Sequence, residues 1–123
     1  MFSRKSIEEV EELKKFFSIP LIVEGKKDRE VMRKLGFEKI FEIGGKDLNK
    51  VLEEINKEKI KEVCILTDFD REGREKFKKF LLFLRAHGIR INFKLRMKIR
   101  KTFKVSKIEE INSFIKNYKS LLS

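Results

Sequence analysis

The chain has 123 residues and a formal net charge of +11, and charged and hydrophobic residues each make up 41% of it. This length fits one domain with one sizeable core, and with no apolar run of membrane-spanning length we expect neither a disordered chain nor a membrane protein. The basic balance favours a polyanionic partner, nucleic acid first, although solubility alone would also account for it.

Met1-Phe2-Ser3-Arg4-Lys5 lacks the apolar centre of a signal peptide, so a cytoplasmic location is expected. Ser6-Ile7-Glu8-Glu9 has the form of a capping box, and Ile7, Val10, Leu13, Phe16 and Phe17 follow at helical spacing. Pro20 ends that helix and leads into Leu21-Ile22-Val23, a buried strand closing at Glu24-Gly25. Asp28 can cap the next helix, which turns Val31, Met32 and Leu35 inward and stops at Gly36. Lys39–Ile43 suits a second strand ending at Gly44-Gly45, and Leu48, Val51, Leu52 and Ile55 mark a third helix.

Val63-Cys64-Ile65-Leu66 is an apolar run fit for a strand covered on both faces. Cys64 is the only cysteine, which precludes a disulfide within the chain, and its apolar setting argues against a nucleophilic thiol. From Arg71 to Ala86 a helix buries Phe77, Phe80, Leu81 and Leu84, while Leu82 and Phe83 widen its apolar face and suit either core or a homodimer contact. After Gly88, Phe93, Leu95, Met97 and Ile99 alternate with Lys94, Arg96, Lys98 and Arg100, which predicts an edge strand covered on one face. Ser106-Lys107-Ile108-Glu109 is a second capping box, opening a helix along Ile108, Ile111, Ile115, Tyr118 and Leu122. The expected architecture is α/β: a single domain over residues 1–123 with a mainly parallel four-stranded sheet flanked by helices. Its core spans about residues 20–95, with an N-terminal helix before it and a basic strand or loop and a helix after it.

The chemistry gathers where strands end. Asp68 and Asp70 follow the apolar run and, two apart on extended backbone, project to one side, while Glu24 ends an earlier strand at the same sheet edge. Adjacent carboxylates repel unless a cation joins them, and oxygen-only ligands favour Mg²⁺ or Mn²⁺ over zinc. Glu72 falls in the first turn of the following helix, where a carboxylate is favourable; Asp70 and Glu72 also have the alternative of serving simply as caps. Lys26, Lys27, Arg29, Arg71 and Arg74 surround the site, supplying the cations that phosphoryl transfer needs. Gly25 and Gly44-Gly45 suit close approach to a phosphate or a tight turn equally well.

Between Arg90 and Lys104 there are seven basic residues and no acidic one, so Lys94, Arg96, Lys98 and Arg100 either bind a nucleic-acid backbone or protect a sheet edge. Phe93 and Phe103 have the spacing of core residues, although either could stack on a base. His87 suits a helix C-terminus, and Tyr118 a core position.

Leu21-Ile22-Val23-Glu24-Gly25 with Asp28, then Gly44-Gly45, then Asp68-Phe69-Asp70-Arg71-Glu72-Gly73 resembles the Toprim domain, over roughly Pro20 to Leu95. Topoisomerases, bacterial-type primases, OLD-family nucleases, a recombination protein and the 5S ribosomal RNA maturase share that domain. The chain is most similar to the small stand-alone Toprim proteins of archaea and some bacteria. The resemblance implies that Glu24 is a general acid/base and sometimes a metal ligand, that Asp68 and Asp70 hold Mg²⁺, and that Glu72 is the third acid of the topoisomerase-like version. The chain carries no tyrosine-bearing topoisomerase domain and no zinc-binding or helicase-interacting region of a primase, so strand passage or complete priming by it alone is not expected. A receiver domain and a HAD phosphatase fit less well, because here the acid pair ends the third strand and is followed by Arg71-Glu72. Two functions follow: a Mg²⁺-dependent endonuclease or RNA-maturation nuclease, or a noncatalytic nucleic-acid-binding or assembly module that needs a protein partner.

Overall fold

The computed structural model describes residues 4–122 and the side chains of 7–118, so the Met1–Ser3 part of the leader argument and the Ser6 and Leu122 side chains lie outside the described residues. The elements are α1 (Arg4–Glu12), β1 (Leu21–Val23), α2 (Lys26–Leu35), β2 (Ile40–Glu42), α3 (Leu48–Lys57), β3 (Glu62–Leu66), α4 (Arg71–Ala86), β4 (Arg90–Ile91), α5 (Phe93–Phe103) and α6 (Ile111–Leu122), with 3₁₀ turns at Leu13–Phe16 and Ile108–Glu110. All strand pairings are parallel, in the order β2-β1-β3-β4. This is the expected α/β architecture. Among the described residues no helix is long and apolar enough to cross a membrane.

Alternation along the central strands builds a core on each face of the sheet. Leu21, Val23, Cys64 and Leu66 face Met32 of α2, Leu95 and Ile99 of α5 and Ile111 and Ile115 of α6. Ile22, Val63 and Ile65 face Val51 and Ile55 of α3 and Phe80 and Leu84 of α4. Burial pushes the Cys64 thiol up to about 12, so it stays protonated and inert.

The predicted edge strand from Phe93 to Ile99 is instead a helix. Pairing in β4 stops at Ile91, and Asn92 caps α5, its Oδ1 accepting from the Leu95 amide at 2.8 Å. Leu95 and Ile99, four apart, form the buried stripe, so the apolar alternation was a coincidence of residues serving opposite helix faces. Phe93, assigned to the core by spacing, is 41% exposed, whereas Phe103 is partly buried and meets Phe114 edge to face. Arg96 is not a surface cation. It is buried, and its guanidinium donates to the carbonyls of Ile65, Thr67 and Asp68 at 3.3, 2.8 and 3.2 Å while lying between the Phe69 and Phe77 rings. It thereby takes up carbonyls that β4 is too short to pair.

Three capping expectations shift. Helix α1 begins at Arg4, so Ser6 lies within it. Helix α2 begins at Lys26, placing Asp28 in its first turn, where Oδ2 accepts from the Gly25 amide at 3.1 Å. At the last box Glu110, not Glu109, closes the loop, its Oε1 accepting from the amides of Lys107 and Ser106. His87 Nδ1 lies 2.8 Å from the Phe83 carbonyl at the end of α4, as expected of a helix C-terminus.

Gly73 is required by contact. A Cβ there would lie 2.0 Å from the Asp68 carbonyl oxygen, so α4 seats against the β3 exit only through glycine. Gly73→Ala is expected to destabilise the fold by about 3 kcal/mol or more in denaturant unfolding; a loss below about 1 kcal/mol would contradict this packing.

Burial, with the charges of Asp68, Glu24 and Glu109, outweighs the Gly25 amide and pushes the Asp28 carboxyl up to about 6. The folded chain therefore holds this proton to higher pH than the unfolded chain, and stability is lost as pH rises from about 4 through about 6. Asp28→Asn keeps an acceptor for Gly25 and removes the charge. In metal-free buffer its Tm should exceed the parent's by roughly 2–5 °C at about pH 8, the gap closing towards about pH 4. A gap independent of pH would contradict the assignment.

Candidate metal and phosphate site

The site begins with strand register. Val23 pairs with Leu66, so the chains leaving β1 and β3 run side by side at one sheet edge. Glu24 leaves β1 there, and its Oε2 accepts from the Asp68 amide at 3.1 Å. The two acids are thus held together by backbone geometry as well as by proximity.

Each aspartate is positioned by one oxygen. Asp68 Oδ1 accepts from the Ile108 amide at 2.8 Å, tying it to the turn before α6. Asp70 is the N-cap of α4, with Oδ1 accepting from the Gly73 amide at 2.8 Å. The capping alternative therefore holds for Asp70, and it still leaves Oδ2 of both aspartates without a hydrogen-bond donor among the described residues. Thr67, buried between them and the strand, donates from Oγ1 to the Gly73 carbonyl at 2.7 Å. Partial burial raises the Asp68 pKa, and the charges of Glu24 and Asp70 raise it further, against the Ile108 amide and Lys107. Like charges are therefore felt across the group, which is the condition a bound cation relieves.

Glu72 stands apart. Its side chain is 78% exposed in the first turn of α4, and it reaches the site only through Lys76, whose Nζ lies 3.3 Å from Glu72 Oε1 and 2.7 Å from Glu24 Oε1. Those partners, Glu24 first, raise the Lys76 pKa and keep it charged. Lys76 and Asp28 were missed as members of this group. A residue four beyond Glu72 on α4 was the available signal for Lys76, and the position one turn past Glu24 for Asp28.

The surrounding cations divide by position. Lys26 and Lys27 open α2, and Arg71 opens α4, all exposed. Arg74 donates to the Phe69 carbonyl at 3.2 Å, and Arg71 Nε lies 3.5 Å from Glu75. Arg29 lies 3.9 Å from Glu42, with its buried Nε unpartnered. On α5, Lys94 and Arg100 are exposed, and Lys98 reaches Glu12 at 3.3 Å. Both helices α2 and α4 start at the acidic edge, so their N-terminal amides add positive potential where a phosphate would sit. Of Gly25, Gly44 and Gly45 only Gly44 has the left-handed backbone, φ +54°, that argues for glycine; Gly25 is extended.

Glu24, Asp68 and Asp70 form an all-oxygen, partly buried, mutually repelling set, which is the donor chemistry of Mg²⁺ or Mn²⁺. The match is one of donor type and location, because among the described residues no three acid, histidine or cysteine side chains are gathered into a ready cage.

Comparison with known proteins agrees with this architecture. Residues 20–95 match the family model described as the Toprim domain. A UPF0292 protein of Methanocaldococcus jannaschii is 41% identical over 100 residues, covering 80% of this chain and 78% of that one. Another from Thermoplasma volcanium is 38% identical over 96 residues, covering 76% and 80%. Among solved structures, a putative protein from Aquifex aeolicus superimposes with a TM-score of 0.74 at 27% identity, covering 89% of this chain and all of that one. Sequence match, strand order and acid-bearing sheet edge together place the chain in the Toprim domain family, alongside the UPF0292 proteins of archaea.

Proposed function

We propose that this protein is a metal-dependent enzyme of nucleic-acid phosphoryl transfer, an endonuclease or RNA-maturation nuclease. The observation that carries the proposal is the bond between the Asp68 amide and Glu24 Oε2, which joins the acids of two strands at one edge. Family membership supports a metal-dependent role with nucleic acid.

Asp68 and Asp70 would hold Mg²⁺ or Mn²⁺ through the oxygens left free by Ile108 and Gly73. A divalent ion there supplies charge neutralisation at a phosphodiester oxygen and lowers the pKa of a water nucleophile. Glu24, fixed at both oxygens by the Asp68 amide and Lys76, is placed to move a proton or to ligate a second ion. Lys76 keeps positive charge beside it. Lys26, Lys27, Arg71 and Arg74 and the two helix N-termini would take the phosphates on either side of the scissile bond. Glu72 lies at the rim and enters this scheme only through Lys76.

A second reading, a noncatalytic module working through a partner or as a homodimer, is favoured by Leu82, which is 69% exposed on α4.

The test is a panel of structured RNA, single-stranded DNA and duplex DNA with Mg²⁺ or Mn²⁺. Cleavage should require the metal and fall by about 10²-fold or more in Asp68→Asn and in Glu24→Gln, with binding retained. Undiminished cleavage by both variants would overturn the assignment, and binding without cleavage under either ion would favour the module.

A further inference from the structure

The helix that the sequence disguised as a strand carries a cluster of cations with no acidic residue among them. Among the described residues Lys94, Arg100 and Lys101 of α5, and Lys104 just after it, make no ion pair, whereas Lys39, Lys46, Arg71 and Arg90 each meet a glutamate. These four line an open hollow of about 820 Å³ between α5 and the Lys104–Ser106 turn, with Phe69 and Met97 also in its lining and no acidic residue. Met97 is 57% exposed there, an apolar surface among cations.

The hollow does not end at α5. A second one, of about 330 Å³, shares Phe69, Met97 and Arg100 with it and adds Arg74, Phe77 and Lys78, again with no acidic residue. The two form one track, crossing α5 at Met97 and reaching the first turns of α4, where Arg74 and Asp70 are bonded through the backbone at 2.9 Å. Its outer wall is fixed to the acid-bearing loop, because the Phe69 amide donates to the Ser106 carbonyl at 2.7 Å. A small phosphorylated metabolite would need a closed pocket, and this surface is open along its length. A duplex presents phosphates but stacks its bases away from Met97. A line of cations for phosphates beside an exposed apolar contact for an unpaired base matches a single strand.

We propose that this track binds single-stranded nucleic acid and leads it towards Asp68 and Asp70, a role resting on the nucleic-acid part of the function proposed above. Backbone phosphates lie along Lys94, Arg100, Lys101 and Lys104, and a base packs on Met97. The strand then passes Arg74 to the acidic edge.

The experiment is fluorescence anisotropy with a labelled single-stranded oligonucleotide, as DNA and as RNA, across a salt series in EDTA. Without divalent ions no cleavage can occur, so failure of the track leaves the nuclease proposal standing, and an inactive enzyme leaves the track standing. The triple variant Lys94→Gln/Arg100→Gln/Lys101→Gln should weaken binding at least about tenfold and reduce the slope of log K against log salt by about 2. The control Lys50→Gln/Lys57→Gln/Lys61→Gln, with the same charge loss on exposed cations elsewhere, should leave the slope nearly unchanged. Met97→Ala should weaken binding of the oligonucleotide but not of its abasic counterpart, without altering the slope. Equal slope losses in the two triple variants would reduce the effect to net charge and overturn the proposal, as would tighter binding of the matching duplex or indifference of both ligands to Met97→Ala. Thermal unfolding of each variant confirms that it is folded.

Discussion

The site depends on the parallel pairing of β1 with β3. Register places Val23 opposite Leu66, and the next residues of each chain bring a glutamate beside an aspartate amide. A slip of one residue would turn Glu24 into the sheet's apolar face and break both cores, so the packing that stabilises the domain also fixes the distance between the acids. Gly73 extends the same constraint, letting α4 approach the Asp68 carbonyl closely enough for Asp70 to cap it. The candidate site and the core share these contacts, which hold the Asp28 and Asp68 carboxyls partly buried and beside other acids.

Arg96 explains how so short a sheet holds its acidic edge. With β4 only two residues long, the carbonyls at the end of β3 lack a strand partner, and one guanidinium supplies donors to three of them. Burying a cation is costly, and burial lowers its pKa, but hydrogen bonds and the faces of Phe69 and Phe77 offset much of that cost. The same residue anchors α5 to the loop carrying Asp68. The basic face of α5 and the acidic edge are therefore held in fixed relation, as the proposed strand track requires.

Most of the fold was legible from the sequence because its buried strands are short apolar runs bounded by Pro20, Glu24-Gly25, Gly44-Gly45 and Asp68, and most of its helices carry unambiguous stripes. Glu24, Asp68 and Asp70 were legible for a related reason: acids immediately after buried strands have one place to go. The segment from Phe93 to Ile99 was not, because apolar residues at every second position satisfy a strand and also supply Leu95 and Ile99 to one side of a helix. Asn92 as a cap and Lys, Leu, Arg and Met residues not branched at Cβ pointed to a helix, but weakly. Arg96 was read as a surface cation for the same reason. Lys76 escaped notice because its partner Glu24 is 52 residues away, a pairing that only the fold creates.

In the proposed function the two aspartates share a divalent cation at this edge. Titrating metal-free protein with Mn²⁺ and following the ion by electron paramagnetic resonance tests it without a substrate. The expected result is saturable binding that weakens about tenfold or more in Asp68→Asn and in Asp70→Asn and changes little in Glu72→Gln. Equal binding by the parent and both aspartate variants would contradict it.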